Sequence, residues 1–225
     1  MVYNWQYIDE VYDRMLALGV KPFVELSFFP KDIAAKDSKQ QMWYQNNVSV
    51  DRNNFDKWHN LVKEFTQHVV DRYGIDEVLT WYFEVWNEPN LNLNPKAGFF
   101  DGTKSDYFRM YKESVKAIKS IDKRLKVGGP ATSNFIADNR HDGEIMDHKK
   151  SVFYSQDIIN TKQWKGVWIE DFLRFCEKEN LPVDFISTHP YPTDYALDPD
   201  TGRSKDAIRY VHSLHDDITL SLIHI

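Results

Sequence analysis

Helical stripes and short apolar runs alternate along this chain, and that alternation restricts the fold more than any other feature of the sequence. Tyr7, Ile8, Val11, Tyr12, Met15 and Leu16 recur at helical spacing and stop at Gly19, a residue suited to a helix's C-terminal cap. Lys21 to Pro30 follows after a very short loop as an apolar run bracketed by prolines, which reads as a strand. The helical stripe returns with Phe55, Trp58, Leu61, Val62, Phe65 and Val69 and ends at Gly74. A strand from Trp81 to Trp86 leads to a helix carrying Tyr107, Phe108, Tyr111, Val115 and Ile118, then to a short strand from Leu125 to Pro130. Trp168, Ile169, Phe172, Leu173 and Cys176 mark another helix, Val183 to Pro192 another strand, and Ala207 to Leu214 a last short helix. Strands that are apolar on both faces and separated by helices must run parallel, joined by right-handed crossovers.

Two architectures satisfy that pattern, a doubly wound sheet and a (β/α)8 barrel. No glycine-rich phosphate fingerprint follows the first strand, and Gly128-Gly129-Pro130 opens no phosphate-binding helix. Long polar stretches after successive strands fit a barrel, whose sites are built from its βα loops. Four clear strands are present where a closed barrel needs eight. The expectation is therefore an α/β chain forming part of a (β/α)8 barrel over residues 1–219, with an inserted loop or lobe at about 134–166. Leu220-Ser221-Leu222-Ile223-His224-Ile225 matches one translation of a transposon-end adaptor used in sequencing libraries, and residues 220–225 are expected to be non-native.

Composition narrows the partners. A formal net charge of -6 with no block of like charges argues against nucleic acid or an anionic membrane surface. No apolar run approaches the roughly 20 residues that span a bilayer. The expected partner is small or neutral, and the sequence encodes no readable oligomeric state. The aromatic content of 15%, with seven tryptophans, suits both sugar platforms and a core. Cys176, the one cysteine, sits among Phe172, Leu173 and Phe175 and reads as a packed thiol. His141, Asp142, Asp147 and His148 lack ligand spacing, so no metal is expected. No serine or cysteine elbow marks a nucleophile.

The run Trp81-Tyr82-Phe83-Glu84-Val85-Trp86-Asn87-Glu88-Pro89 closes on an amide, a carboxyl and a proline. Pro89 has no N–H to give a ladder, so pairing stops just after Glu88 and the carboxyl falls on a rim. An Asn-Glu-Pro tripeptide alone is short enough to arise by chance. Joined to K-P-F-V-E-L-S-F upstream and to G-G-P-A-T and S-T-H-P-Y-P-T-D downstream, F-E-V-W-N-E-P-N-L resembles glycoside hydrolase family 39, and within it the β-xylosidase branch. The likeness runs in order from about Tyr3 to Leu214, interrupted by the insertion.

The resemblance implies a (β/α)8 barrel of which this chain holds about strands three to six, and a retaining mechanism without a cofactor, acting on a small carbohydrate. Glu88 matches the family's acid/base position; it would give a proton to the leaving oxygen and then take one from water. Asn87 matches the residue that bonds the sugar 2-hydroxyl, its bland alternative being an Asx turn before proline. His189 and Tyr191, two apart and so on one side of a strand, are assigned to the sugar site as ligand contacts and supports for the nucleophile. Phe28 matches an aromatic lining position, with Phe29 beside it leaving the register open. Glu25 and Glu84 are implied to be barrel-interior partners of Lys or Arg. Alternation places Glu84, Trp86 and Glu88 on one face, with Glu88 at the mouth. The nucleophilic carboxylate that a double displacement needs at about 5 to 5.5 Å is matched by no residue here: Glu170, Glu177 and Glu179 read as helical, and nothing fits Asp194 to the role. A relative acting on iduronic acid, arabinose or glucose, or a non-catalytic sugar-binding barrel, stays open alongside the β-xylosidase reading.

Overall fold

The computed structural model describes residues 2–38, 47–90, 99–132 and 168–189. Along them run α1 (Gln6–Ala17), β1 (Phe23–Leu26), α2 (Phe55–Tyr73), α3 (Ile75–Val78), β2 (Tyr82–Val85), α4 (Lys104–Ile121), β3 (Lys126–Thr132), α5 (Trp168–Lys178) and β4 (Phe185–Thr188). The strands lie in the order β1-β2-β3-β4 and each neighbouring pair is parallel. The register places Glu25 beside Glu84, Glu84 beside Gly128, and Gly128 beside Phe185. This is part of a (β/α)8 barrel wall, with β1 to β4 as strands three to six. The expected helix 207–214, the insertion 134–166 and the tail 220–225 lie outside the described residues, as do His141, Asp142, Asp147, His148 and Asp194.

Helix ends follow local chemistry. Gly19 takes φ 73 after α1, a left-handed value that costs glycine little, and its N–H reaches the Leu16 carbonyl at 2.9 Å. At the start of α4 the Thr103 hydroxyl accepts from the Asp106 N–H while the Asp106 carboxylate accepts from the Thr103 N–H, a reciprocal capping box. Arg52 adds a fork onto the same carboxylate at 2.7 and 2.5 Å. Burial raises the Asp106 carboxyl, but the Arg52 fork and the Thr103 bonds outweigh it and hold the group below its ordinary value.

Alternation along the strands sorts side chains between two faces. Val24, Leu26, Phe83, Val85 and Val127 are buried, and Phe83 meets Phe65 of α2 with ring centres 6.4 Å apart. Burial of each such side chain stabilises by about 1.5–3 kcal/mol. Helices α2 and α4 are tied together by the Trp58 indole N–H, which donates to the Ser114 hydroxyl at 2.9 Å, and that hydroxyl donates on to the Met110 carbonyl. The fully buried Tyr107 donates to the Val85 carbonyl at 2.9 Å, satisfying an acceptor at the end of β2. Cys176 is buried as expected, and burial pushes its thiol up to about 12. On the opposite face Phe23, Tyr82 and Phe185 form an aromatic cluster with ring centres 5.3 to 5.7 Å apart, yet Phe23 is 54% and Tyr82 37% exposed. A parallel sheet ordinarily has both faces covered; here the uncovered face is the one that lines the interior in a closed barrel.

Two glycines let the third strand pass. A Cβ on Gly128 would stand 2.2 Å from the Phe185 carbonyl oxygen, and one on Gly129 2.6 Å from the Tyr107 hydroxyl. The G-G-P segment of the sequence is therefore a close-approach device, with α4 on one side and the Phe185 backbone on the other.

Candidate active site

The C-terminal ends of β2, β3 and β4 converge. The Glu88 N–H donates to the Ala131 carbonyl at 2.8 Å and the His189 N–H to the Thr132 carbonyl at 2.7 Å, so the residues just past β2 and β4 are both fastened to β3. A register irregularity between Pro130 and Thr132 and a left-handed Ala131, φ 53, bend β3 at this point. The Thr132 hydroxyl bonds that of Thr188 at 2.9 Å beside the same junction.

Glu88 is 8% exposed. Its Oε1 lies 3.5 Å from His189 Nδ1, while His189 Nε2 lies 3.6 Å from Glu84 Oε1. One imidazole thus stands between two buried carboxyls. The Glu84 carboxylate, and after it Glu88, push the His189 imidazole up to about 10, against a smaller opposing effect of burial. Glu25 joins the group from β1: loss of water around it, with Glu84 and Glu88 close by, raises its carboxyl, and the Ser27 hydroxyl opposes this through a bond of 2.5 Å.

Among the described residues, Glu84 pairs with His189 and not with the Lys or Arg expected of it, and Glu25 bonds the Ser27 hydroxyl. Trp86 also leaves the face shared by Glu84 and Glu88. Its φ of 70 and the φ of 45 at Glu88 are left-handed, where strand alternation no longer applies. The Trp86 ring instead packs on Phe29, Trp58 and Phe100, and its indole N–H donates to the Phe99 carbonyl at 3.0 Å. A bulky residue in that region costs about 1–3 kcal/mol; the buried aromatic cage and the Trp86 N–H to Leu26 carbonyl bond, 3.2 Å, offset it.

Asn87 is half-buried between these two strained residues. The register at Phe28 and Phe29 resolves by packing: Phe29 is buried against Trp58 and Trp86, whereas Phe28 is half-buried with its ring edge-on to Trp86 at 5.4 Å. Tyr191 lies outside the described residues. Glu170 and Glu177 sit on α5 and Glu179 just past it, Glu170 paired with Arg174 and Glu179 with Lys112. The Glu84–His189 link is the relation the sequence did not disclose, though two polar residues in apolar strands, Glu84 and His189, were its trace.

The profile of "Glycosyl hydrolases family 39" matches residues 1–211. The chain belongs to this family. It is 39% identical over 190 residues to a beta-xylosidase of Caldicellulosiruptor saccharolyticus and 37% identical over 190 residues to one of Geobacillus stearothermophilus, each match covering 84% of this chain and 31% of the relative. Among solved structures, a monomeric beta-xylosidase from Caulobacter crescentus CB15 superposes with a TM-score of 0.72 at 32% identity, over 96% of this chain and 36% of the other. The family 39 enzyme of Xanthomonas axonopodis pv. citri gives a TM-score of 0.73 at 30% identity, over 100% and 37%. This family 39 chain therefore spans about a third of the length of the relatives it matches.

Proposed function

We propose that this segment carries the acid/base half of a retaining glycosidase that removes β-linked xylose from xylo-oligosaccharides or aryl xylosides. The observation that carries the reading is the buried Glu88 carboxyl at the C-terminal end of β2, 3.5 Å from His189. Barrel sites form at that end of the strands, and a carboxyl withdrawn from water beside a second titratable group suits an acid that must later act as a base. Asn87 is assigned to the sugar 2-hydroxyl, His189 and Tyr191 to sugar contact, and Phe28 to the aromatic lining of the cleft. No metal or cofactor enters the proposed cycle.

Substrate choice follows the beta-xylosidase relatives; the alternative is supported by an alpha-L-iduronidase of Mus musculus, 25% identical over 134 residues, 59% of this chain. A panel of aryl xylosides, arabinosides, glucosides and iduronides decides between them. The central test is Glu88→Gln in the complete barrel enzyme built around this segment. Turnover of poor leaving groups is expected to fall by about 10²–10⁴, with activated aryl leaving groups less affected. Unchanged turnover of poor leaving groups removes Glu88 from the mechanism. No residue of this sequence is matched to the second carboxylate of the cycle, so the 225-residue protein on its own is expected to release no nitrophenol from a nitrophenyl xyloside; release at a rate typical of an enzyme contradicts that.

A further inference from the structure

Glu84 places a carboxyl in the middle of β2, 4% exposed and beside Glu25 in the register. A charge there costs several kcal/mol unless a cation answers it, and an apolar side chain would pack the strand without that cost. The answering group is His189, whose two ring nitrogens face two different carboxyls: Nε2 towards Glu84 at 3.6 Å and Nδ1 towards Glu88 at 3.5 Å. A neutral imidazole carries one N–H. Were both carboxyls ionised, the bare nitrogen would point its lone pair at a carboxylate.

Two arrangements avoid this, and they contain the same number of protons. In one an imidazolium donates to both carboxylates. In the other the neutral ring donates Nε2–H to Glu84, and a protonated Glu88 donates to Nδ1. They differ by the position of a single proton between Nδ1 and Glu88 Oε1, and in both Nε2–H is directed at Glu84. From β1 Glu25 faces the same group, its carboxylate bonded by Ser27, and β3 fixes the histidine backbone through the Thr132 carbonyl.

We propose that Glu84 is a positioning residue: by holding the Nε2–H of His189 it turns Nδ1 to Glu88, so that ring and carboxyl share the proton passed to the leaving group. The inference rests on the reading of Glu88 as acid/base. In the first step that proton goes to the glycosidic oxygen, which also receives the electron pair of the breaking C–O bond, while the second carboxylate of the cycle bonds the anomeric carbon. The ring is left neutral, and its Nδ1 lone pair now faces the Glu88 carboxylate. In the second step water bonds the anomeric carbon, the second carboxylate leaves it, and the proton that the water gives up returns to the Glu88–His189 pair and restores the original count.

The test follows the His189 ring nitrogens by long-range ¹H–¹⁵N spectra of the 225-residue chain labelled at histidine, with the signals assigned by their loss in His189→Asn. In Glu84→Gln the His189 midpoint is expected to fall by about one pH unit or more, and the neutral ring to lose its preference for Nε2–H. An unchanged midpoint and tautomer overturn the proposal. The unmutated chain supplies a second readout that does not depend on how Glu84→Gln folds: near neutral pH its His189 must carry a proton on Nε2, and a bare Nε2 sinks the idea. These spectra do not depend on turnover, so a failure here is separable from a failure of the Glu88 assignment, which the leaving-group test decides.

Discussion

At position 129 the absence of a side chain is what lets Tyr107 reach the strand carbonyl at Val85. A methyl group there would meet the Tyr107 hydroxyl at 2.6 Å, so Gly129→Ala is expected to destabilise by about 1–3 kcal/mol, read as a lower urea midpoint. Tyr107→Phe alone should cost about 1–3 kcal/mol, because it strands a buried acceptor. The double variant should be less destabilised than the sum, since the phenylalanine lacks the oxygen that clashes; strict additivity would mean the two positions do not touch. At the same scale, the rim position of Glu88 was legible because Pro89 ends pairing. The departure of Trp86 from its expected face was not, because a left-handed φ at a bulky residue is decided by the aromatic cage of Phe29, Trp58 and Phe100, contributed by separate segments.

Among the elements, α4 shows how local and distant chemistry combine. The Thr103–Asp106 capping box was written in adjacent residues, whereas the Arg52 fork comes from 54 residues away. Asp106→Ala removes the fork and the carboxylate half of the box, leaving the backbone N–H on the Thr103 hydroxyl, and is expected to cost about 1–2 kcal/mol. The sign of its pH dependence is fixed. The Asp106 carboxyl is held below its ordinary value in the folded protein, so its contribution is present above about pH 4 and is lost as the pH falls through the folded-state value. Acid unfolding followed by circular dichroism should therefore begin at higher pH in Arg52→Gln than in the parent chain, and a superimposable acid limb would show that the fork is too well screened to matter. The strands illustrate the converse. Their apolar runs were readable, but β1, β2 and β4 are shorter than their runs, as where the chain turns away after Val85, while β3 continues two residues past Pro130 through the bend at Ala131.

For the molecule as a whole, the uncovered face and the buried charges set the behaviour. Phe23, Tyr82 and Phe185 cluster where a closed barrel would bury them, and β1 and β4 are the outer strands of the described sheet. The isolated chain is therefore expected to self-associate, and Phe23→Glu to reduce light scattering with little loss of helical circular dichroism; scattering that is unaffected would place the sticky surface elsewhere. His189 is raised to about 10 by its carboxylate neighbours, so the stability it contributes is complete below about pH 6.5 and is lost as the pH rises through about 10. His189→Gln should flatten that alkaline decline. The sequence by itself determined the order of helices and strands, their parallel arrangement, and a carboxyl at a strand's end, because periodicity, proline and glycine act over a few residues at a time. Only the tertiary structure decided which charged groups stand together: Glu84, Glu88 and His189 meet because β3 stands between β2 and β4 and bends at Ala131, a placement that no local spacing encodes.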